Sequence, residues 1–379
     1  MDTLYLAAVC AVVPGLGRSR IPKLLQAFGS AKALFEAGRD DLLATGMCEP
    51  KNVVQFITKR NFDLPRKLEA FCKINGVQLV SIYDEAYPQA LREIHDPPLV
   101  LYVRGQIPST SYAIGVVGSR DATHYGLKAA SVFAKGLAKE GIPIISGGAK
   151  GIDAAAHEAA LQAGGSTVAV LGCGLDIAYP SGNQKLFERI ARQGAVISEY
   201  PPGTAPMAIN FPARNRIIVG LSRGIVVAEA ARKSGALITA HIAADEGREV
   251  YCVPGNIFEG TSIGCHDLIR KGAKLVDSVA DILEEKQAWQ FAMRRKIFQP
   301  NIFTATEQPP KPLPVYERKP LPASDLGKKI LALLQQGPLS LEEITEHSGA
   351  SVPEVSMELL ELQVAGYLEV DRAQRYFRL

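Results

Sequence analysis

Short apolar runs rich in β-branched residues recur through the middle of the chain, with amphipathic stretches between them. Runs of this length predict β-strands, here at 77–82, 113–118, 142–146, 166–171, 194–198, 224–229 and 248–253. Helical spacing predicts helices between most of them, including 127–139, 153–163 and 237–245. Because continuous apolar strands need both sheet faces covered, the pattern predicts an α/β fold with a doubly wound, mostly parallel sheet.

The beginning of the chain shows helical spacing instead. An apolar run at 4–9 leads through a turn, Pro14-Gly15-Leu16-Gly17, into a second predicted helix with apolar residues at Ile21, Leu24, Leu25 and Phe28. The turn resembles a helix-hairpin-helix element, whose backbone N–H groups can hold a nucleic-acid phosphate. Three cations follow it: Arg18, Arg20 and Lys23. An ordinary turn that needs glycine for a positive φ is the alternative.

The C-terminal segment predicts helices at 326–335, 341–348 and 352–365, followed by a hairpin at 367–370 and 376–379. This is the pattern of a winged helix, whose third helix commonly enters a DNA groove. Here that helix carries Glu354, Glu358 and Glu361 and no Lys or Arg, which favours a protein-interaction module over a duplex reader. The arginines of the hairpin leave contact with a DNA backbone open: Arg372, Arg375 and Arg378.

Four segments follow from these patterns. They are a small helical N-terminal domain at 1–70, the α/β core at 71–290, a linker at 291–325 and a C-terminal winged-helix domain at 326–379. The linker prediction rests on its prolines, because proline removes backbone donors and favours an extended chain.

Composition narrows the class of protein. The chain has 379 residues, of which 47% are hydrophobic and 21% charged, so it is typical of globular proteins. The net charge of +3 is too small to imply a nucleic-acid partner by itself. Six scattered cysteines without a C-x-x-C pair fit a reducing cytoplasm and argue against a zinc ribbon, and no metal is expected. The sequence contains no uninterrupted apolar stretch of about 18 residues, so no membrane span is predicted. The first residues do not resemble a signal peptide.

In an open α/β sheet, ligands bind beyond the carboxyl ends of the strands. The loops predicted there combine small residues with a cation, an amide or a tyrosine, and we expect these side chains to converge on a phosphate-bearing ligand. The candidates are Ser119, Arg120, Ser146, Gly147, Gly148, Lys150, Tyr179, Asn183, Lys185, Arg214, Asn215 and Arg216, with Arg232 and Lys233 as further cations at the same edge. Tyr179 is the best candidate to stack on a base, whereas Phe211 is expected in the core.

Other chemistry is less well supported. No G-x-G-x-x-G follows the first core strand and no G-x-x-x-x-G-K-[ST] is present, so no cofactor is expected. Asp153 and His157 lie four residues apart on one predicted helix and could form an acid–base or metal pair, but a dipole-stabilising role for Asp153 is favoured. Structural roles are also favoured for Glu199 and Glu229, orienting arginines or capping loop amides.

The loops, taken in order, resemble DNA-processing protein A, the DprA/Smf family. The matching blocks are VVGSRDATHYG (116–126), SGGAKGIDAAAHEAAL (146–161), LGCGLDIAYPSGN (171–183), SEYPPGTAP (198–206), FPARNRIIVGLSRGIVVAEA (211–230), KSGALITAHIAADEGREVYCVPGN (233–256) and LIRKGA (268–273). His266 departs from the pattern, because the family tends to carry Asn there, which leaves the role of that side chain open.

The resemblance implies a Rossmann-like core and a function without catalysis. Members of the family bind single-stranded DNA, form homodimers, protect incoming DNA and help load the recombinase RecA during natural transformation. The strand-binding loops of the family fall on Ser119-Arg120 and on Ser146-Gly147-Gly148, whereas Lys185, Arg214 and Arg216 are our extension from their positions at strand ends. Two alternatives are a nucleotide phosphoribohydrolase, whose PGGxGT-x-x-E run is not found, and a winged-helix transcription factor.

Overall fold

The computed structural model describes residues 2–12, 16, 18–287, 289, 324–364, 367–370 and 375–378. They fall into two compact units, 1–299 and 300–379. Nearly all of the predicted linker lies outside the described residues, as does most of the Pro14-Gly15-Leu16-Gly17 turn. Within the described ranges, no helix is long and apolar enough to cross a membrane.

The chain begins with six helices before the first strand. They are α1 (Asp2–Val12), α2 (Ile21–Phe28), α3 (Ala31–Glu36), α4 (Arg39–Ala44), α5 (Pro50–Lys59) and α6 (Leu64–Asn75). Their apolar faces meet around Leu6 and Phe35 in a cluster that also contains Val100 and Ala169 of the sheet and Phe187 of a helix that covers it. The helices and the sheet therefore share one hydrophobic core, and the domain boundary at residue 70 stays a prediction.

A nine-stranded sheet forms the centre of the first unit. Its strands are β1 (Val77–Ser81), β2 (Val100–Gly105), β3 (Ile114–Val117), β4 (Ile144–Ser146), β5 (Thr167–Leu171), β6 (Ala195–Ser198), β7 (Gly224–Val227), β8 (Glu249–Cys252) and β9 (Lys274–Leu275). Their spatial order is β1-β2-β6-β5-β4-β3-β7-β8-β9. The pairs β1–β2 and β2–β6 are antiparallel and all others are parallel, which confirms the predicted doubly wound, mostly parallel sheet.

Two strands of this sheet were not predicted. β9 has only two residues, too few for a hydrophobic pattern. β2 is apolar and fully buried over its first four residues, but only a four-residue helix, α7 (Gln89–Arg92), precedes it. A prediction based on strands that alternate with full-length helices therefore misses β2.

Helices cover both faces of this sheet. They are α8 (His124–Lys139), α9 (Ile152–Gln162), α10 (Gln184–Gln193), α11 (Asn210–Gly220), α12 (Ala236–Asp245) and α13 (Ile263–Arg270). α8 and α9 pack with Ile114 and Ile144 on one face. α11 and α12 pack with Ile145 and Ile225 on the other face. Because most of these strands run parallel to one another, their carboxyl ends bring several loops to a single edge of the sheet.

The described residues of the second unit form three α-helices and a small antiparallel sheet. The helices are α14 (Asp325–Leu333), α15 (Leu341–Ser348) and α16 (Val352–Val364), and the strands β10 (Leu339–Ser340), β11 (Leu368–Val370) and β12 (Arg375–Arg378) pair in the order β10-β12-β11. Ser340 caps α15: its Oγ accepts from the N–H of Glu343 at 3.3 Å, and its own N–H donates to the carboxylate of Glu343 at 2.7 Å. The winged-helix pattern read from the sequence is present in this unit.

Candidate nucleic-acid interface

A cavity of about 640 Å³ opens at the edge where the parallel strands end. Loop residues after β3 and β4 form one wall, and the first turns of α11 and α12 form the other. Polar and aromatic residues in its lining include Ser119, Arg120, Asp121, Tyr179, Phe211, Arg214, Asn215, Lys233 and Ser234. A second cavity of about 270 Å³ shares Arg120, Tyr179, Phe211 and Arg214 and adds Lys150. The structure thus brings together seven of the twelve candidate residues through their lining of one or both cavities, the seventh being Gly147.

Arg120 and two aromatic rings form the mouth of these cavities. The guanidinium of the exposed Arg120 lies 5.2 Å from the centroid of the Phe211 ring, in cation–π geometry. The Phe211 ring lies 5.4 Å from that of Tyr179, tilted by 39°. The expectation that Phe211 belongs to the core was wrong: it is half-buried and lines both cavities, because it stands in the first turn of α11.

Arg214 lies beneath this mouth, with only 4% of its surface exposed. Its Nη1 donates to the carbonyl oxygen of Gly147 at 2.7 Å and to that of Val170. On the other side of the same loop, Oδ2 of Asp153 accepts from the N–H groups of Gly147 at 3.1 Å and Ala149 at 3.4 Å. The Gly147–Ala149 loop is therefore held from both sides.

Gly147 is required by this arrangement. A Cβ at that position would stand 2.7 Å from both Nη atoms of Arg214 and 2.7 Å from Oδ2 of Asp153. Any side chain would separate the two charged groups from the backbone atoms that they bind. In the sequence, the pair Gly147-Gly148 indicates a close approach to the backbone, which we attribute there to a phosphate; in the structure, Arg214 and Asp153 make that approach at Gly147.

Burial sets the electrostatics of the two charged groups. It lowers the pKa of Arg214 to about 10, against the opposing pull of the Asp153 carboxylate. It raises the pKa of Asp153, which the Arg214 guanidinium and the loop N–H groups counteract. Arg214 therefore stays protonated at neutral pH and places a positive charge under the cavity, although its hydrogen bonds serve the loop.

Ser146 and Asn183 build the loops rather than face a cavity, whereas Lys150 lines the smaller cavity. Ser146 is fully buried, and its Oγ donates to the carbonyl of Val116 at 2.6 Å. Asn183 Nδ2 donates to the carbonyls of Gly148 at 3.0 Å and Ala149 at 3.3 Å. Lys150 is exposed, and its Nζ lies 2.7 Å from Oδ1 of Asp121.

Arg216 and Lys185 do not converge with the others. Arg216 binds Glu199 with two nitrogens, at 3.0 and 2.8 Å, and its Nε lies 3.0 Å from Asp96. Two carboxylates thus neutralise it, and it lines neither cavity. Lys185 is exposed at the start of α10 and also lines neither. Of the two further cations, Lys233 lines the larger cavity, whereas Arg232 lies 3.7 Å from Asp267.

The two strand-end glutamates have the structural roles that were favoured. Glu199 orients Arg216. Glu229 is 1% exposed and accepts hydrogen bonds from the N–H of Thr123, at 3.0 Å, and from its hydroxyl. Since Thr123 caps α8, Glu229 fixes the start of that helix.

His157 is a core residue. Thr167 Oγ1 donates its proton to the carbonyl oxygen of Ile144 at 2.6 Å. The Nδ1 of His157 lies 2.7 Å from Thr167 Oγ1, so Nδ1 carries a proton and donates it to that hydroxyl oxygen. Burial and the nearby Arg214 lower the pKa of His157 to about 3. With Asp153 bound to backbone amides, no acid–base pair forms, and the described residues contain no group of three or more His, Cys, Asp or Glu placed to hold a metal.

Comparison with known proteins identifies the family to which this chain is similar. The family described as DNA recombination-mediator protein A matches residues 78–287, and the DprA winged helix domain matches 309–371. The DNA processing protein DprA of Streptococcus pneumoniae is 50% identical over 206 residues, which cover 54% of this chain and 73% of that protein. Protein Smf of Synechocystis is 36% identical over 390 residues, which cover 97% and 96% of the two chains.

Two solved structures are also similar. The X-ray structure of the Streptococcus pneumoniae protein has a TM-score of 0.64 at 39% identity and covers 75% of this chain and 98% of its own. A structure of DNA processing protein A from Helicobacter pylori, solved for its single-stranded DNA binding mode, has a TM-score of 0.50 at 30% identity and covers 56% and 96%. This chain belongs to the DprA family of DNA recombination mediators, as its loop motifs indicated. His266, where the family tends to carry Asn, lies with Nε2 3.1 Å from the carbonyl oxygen of Gly255.

Replacing Arg214 should destabilise the first unit. In Arg214→Met, the carbonyls of Gly147 and Val170 lose their donor and Asp153 loses its neighbouring positive charge, so we expect a loss of about 3–5 kcal/mol. Urea unfolding monitored through Trp289 measures it, because this single tryptophan packs 5.4 Å from Tyr112 in the same unit. Arg120→Met is the matched control and should unfold like the native chain; equal stability of both variants would contradict the role assigned to Arg214.

His157 should make the first unit sensitive to acid. Its pKa is about 3 in the folded state and close to 6.5 in the unfolded chain, so below pH 6.5 the unfolded state binds a proton that the folded state does not. Stability should fall as the pH drops, by about 1.4 kcal/mol per pH unit from this residue. Urea titrations at several pH values should give a shallower dependence for His157→Gln, and identical slopes would contradict a neutral buried histidine.

Proposed function

We propose that this chain binds single-stranded DNA at the carboxyl-terminal edge of its sheet, and that it acts there as a mediator rather than as an enzyme. The proposal rests on one observation: Arg120, Lys233 and the tilted pair of aromatic rings, Tyr179 and Phe211, line the same cavity. Cations attract the phosphates, and aromatic faces can stack on bases. The single-stranded DNA binding described for the Helicobacter pylori relative supports the same ligand.

Unpaired bases fit this edge better than a duplex. The rings of Tyr179 and Phe211 can stack only on a base whose face is free, and paired bases in a duplex are stacked on one another. Tyr179 is 41% exposed, so a base can reach it from solvent. We expect little sequence preference, because contacts of cations with phosphates and of aromatic rings with base faces do not read base edges.

The buried acid of the cavity has a role that does not need catalysis. Asp153 is bound to backbone amides of the loop that it holds. A nucleotide hydrolase would need a carboxylate free to act on its substrate. We infer that the cavity holds the strand without changing it.

Three finer roles rest on family membership. We propose that the chain forms a homodimer in the cytoplasm, protects incoming single strands and helps load RecA during natural transformation. Strand exchange by RecA on oligonucleotides coated with a single-strand binding protein measures the loading. Addition of this chain should accelerate the exchange, and Arg120→Ala should remove the acceleration.

Binding should be sensitive to salt and to Arg120. Fluorescence anisotropy with labelled oligo-dT should show affinity falling steeply between about 50 and 200 mM salt, since bound phosphates release counterions. Arg120→Ala should weaken binding and lower the slope of the salt dependence by about one unit.

Lys185→Ala is the matched control for this series. We expect it to weaken binding less than Arg120→Ala does, because Lys185 lies outside both cavities. Affinity independent of salt, or normal binding by Arg120→Ala, would contradict the proposed site. Release of bases from nucleotides, followed by chromatography, would contradict a mediator without catalysis.

Removing residues 297–379 should leave strand binding largely intact. Both cavities are built from the first unit, and residues 326–379 carry 5 basic and 8 acidic residues, which offer little to a polyanion. Anisotropy with oligo-dT should give affinities for the truncated and full chains within about tenfold, or 1.4 kcal/mol. A larger loss in a truncated chain with native circular dichroism would place part of the DNA site in the removed segment.

A further inference from the structure

The third helix of the winged-helix unit is apolar on two sides. Val355, Leu359 and Leu362 face inward and belong to the core of the unit. Met357 and Leu360 face the opposite way and are 61% and 57% exposed. A helix that only needs to close a small core keeps its other face polar, so the outer apolar residues are not explained by the fold.

The outer residues form a continuous stripe with an acidic border. Pro353, Met357 and Leu360 follow one another at spacings of four and three, which places them in line on one side of α16. Glu354 and Glu361 lie along one border of this stripe, both exposed. We refer to these five residues as the α16 outer face.

Hydrogen bonds hold Glu354 of this border in its charged form. Hydrogen bonds from the hydroxyl and N–H of Ser351, at 2.6 and 2.9 Å, lower the pKa of Glu354. Among the described residues, Glu361 has no ion-pair partner. The two lysines of α14 have other partners: Lys328 pairs with Asp325 at 3.1 Å, and Lys329 donates to the carbonyl oxygen of Ser348 at 2.7 Å.

We propose that the α16 outer face is a docking surface for a basic segment of a partner protein that inserts apolar anchors along Met357 and Leu360. Charge complementarity selects this occupant. Phosphates of a DNA groove would be repelled by Glu354 and Glu361, although this is the helix that winged helices commonly place in such a groove. A second copy of α16 has no Lys or Arg to offer those carboxylates. This inference does not depend on the strand-binding site of the first unit.

A labelled synthetic amphipathic peptide of leucine and lysine, added to the full-length chain, is the probe. Anisotropy should show saturable binding that salt weakens, and no binding of the matched peptide of leucine and glutamate. Met357→Gln/Leu360→Gln should raise the dissociation constant about tenfold or more, and Glu361→Gln should raise it less while lowering its salt dependence. Met357→Ala/Leu360→Ala is a second variant with the helix propensity retained.

Ile74→Gln supplies the matched control, because Ile74 is an 83% exposed apolar residue of α6 in the other unit and its replacement should leave peptide binding unchanged. Peptide binding that is absent, or equal in the native chain and both α16 variants, would overturn the proposal. So would loss of duplex DNA binding or of self-association on changing Met357 and Leu360, measured by mobility shift and by light scattering, because either result would assign the face to a different occupant.

Discussion

The arrangement around the buried Arg214 is the constraint on which the candidate site depends. A guanidinium with 4% exposure must find its acceptors inside the protein, and here Nη1 binds the carbonyls of Gly147 and Val170, whereas Nε has no hydrogen-bond partner among the described residues. Asp153 binds the amides of the same loop from the other side. Because both charged groups are needed to hold the loop, the floor of the cavity is fixed before any ligand arrives.

Because the floor of the cavity is fixed, the groups at its mouth can bind and release a ligand without altering the loop beneath them. Arg120 is exposed and rests on the ring of Phe211, which positions the cation without neutralising it. Arg216, two residues from Arg214, shows the opposite case, since Glu199 and Asp96 neutralise it. The positive potential of this edge therefore comes from a few unpaired cations and one buried one, although the whole chain carries only +3.

Much of this could be predicted from the sequence, because the apolar runs located the strands and strand ends locate the loops. Ser119, Arg120 and Tyr179 line the cavity for that reason. The sequence did not show which side of α11 each residue faces within the assembled layers. Arg214 and Arg216 are two apart, so they point to different sides of the helix, and only one reaches the cavity. Phe211 was assigned to the core because its apolar neighbours concealed its place in the first turn of α11.

Two cations at the loop after β4, Arg214 of α11 and Lys150 of the loop itself, differ in how a ligand can affect them. The hydrogen bonds of Arg214 are buried, and breaking them would leave unsatisfied groups, so a phosphate cannot recruit this guanidinium away from the loop. Lys150 is bound to Asp121 at 2.7 Å, but both side chains are more than half exposed, and such surface pairs contribute only about 0–1 kcal/mol. A phosphate can therefore replace Asp121 as the partner of Lys150 at little cost. The loop at 147–151 is thus held in shape by Arg214 of α11 and itself carries Lys150, whose charge is free to change partner when a strand binds.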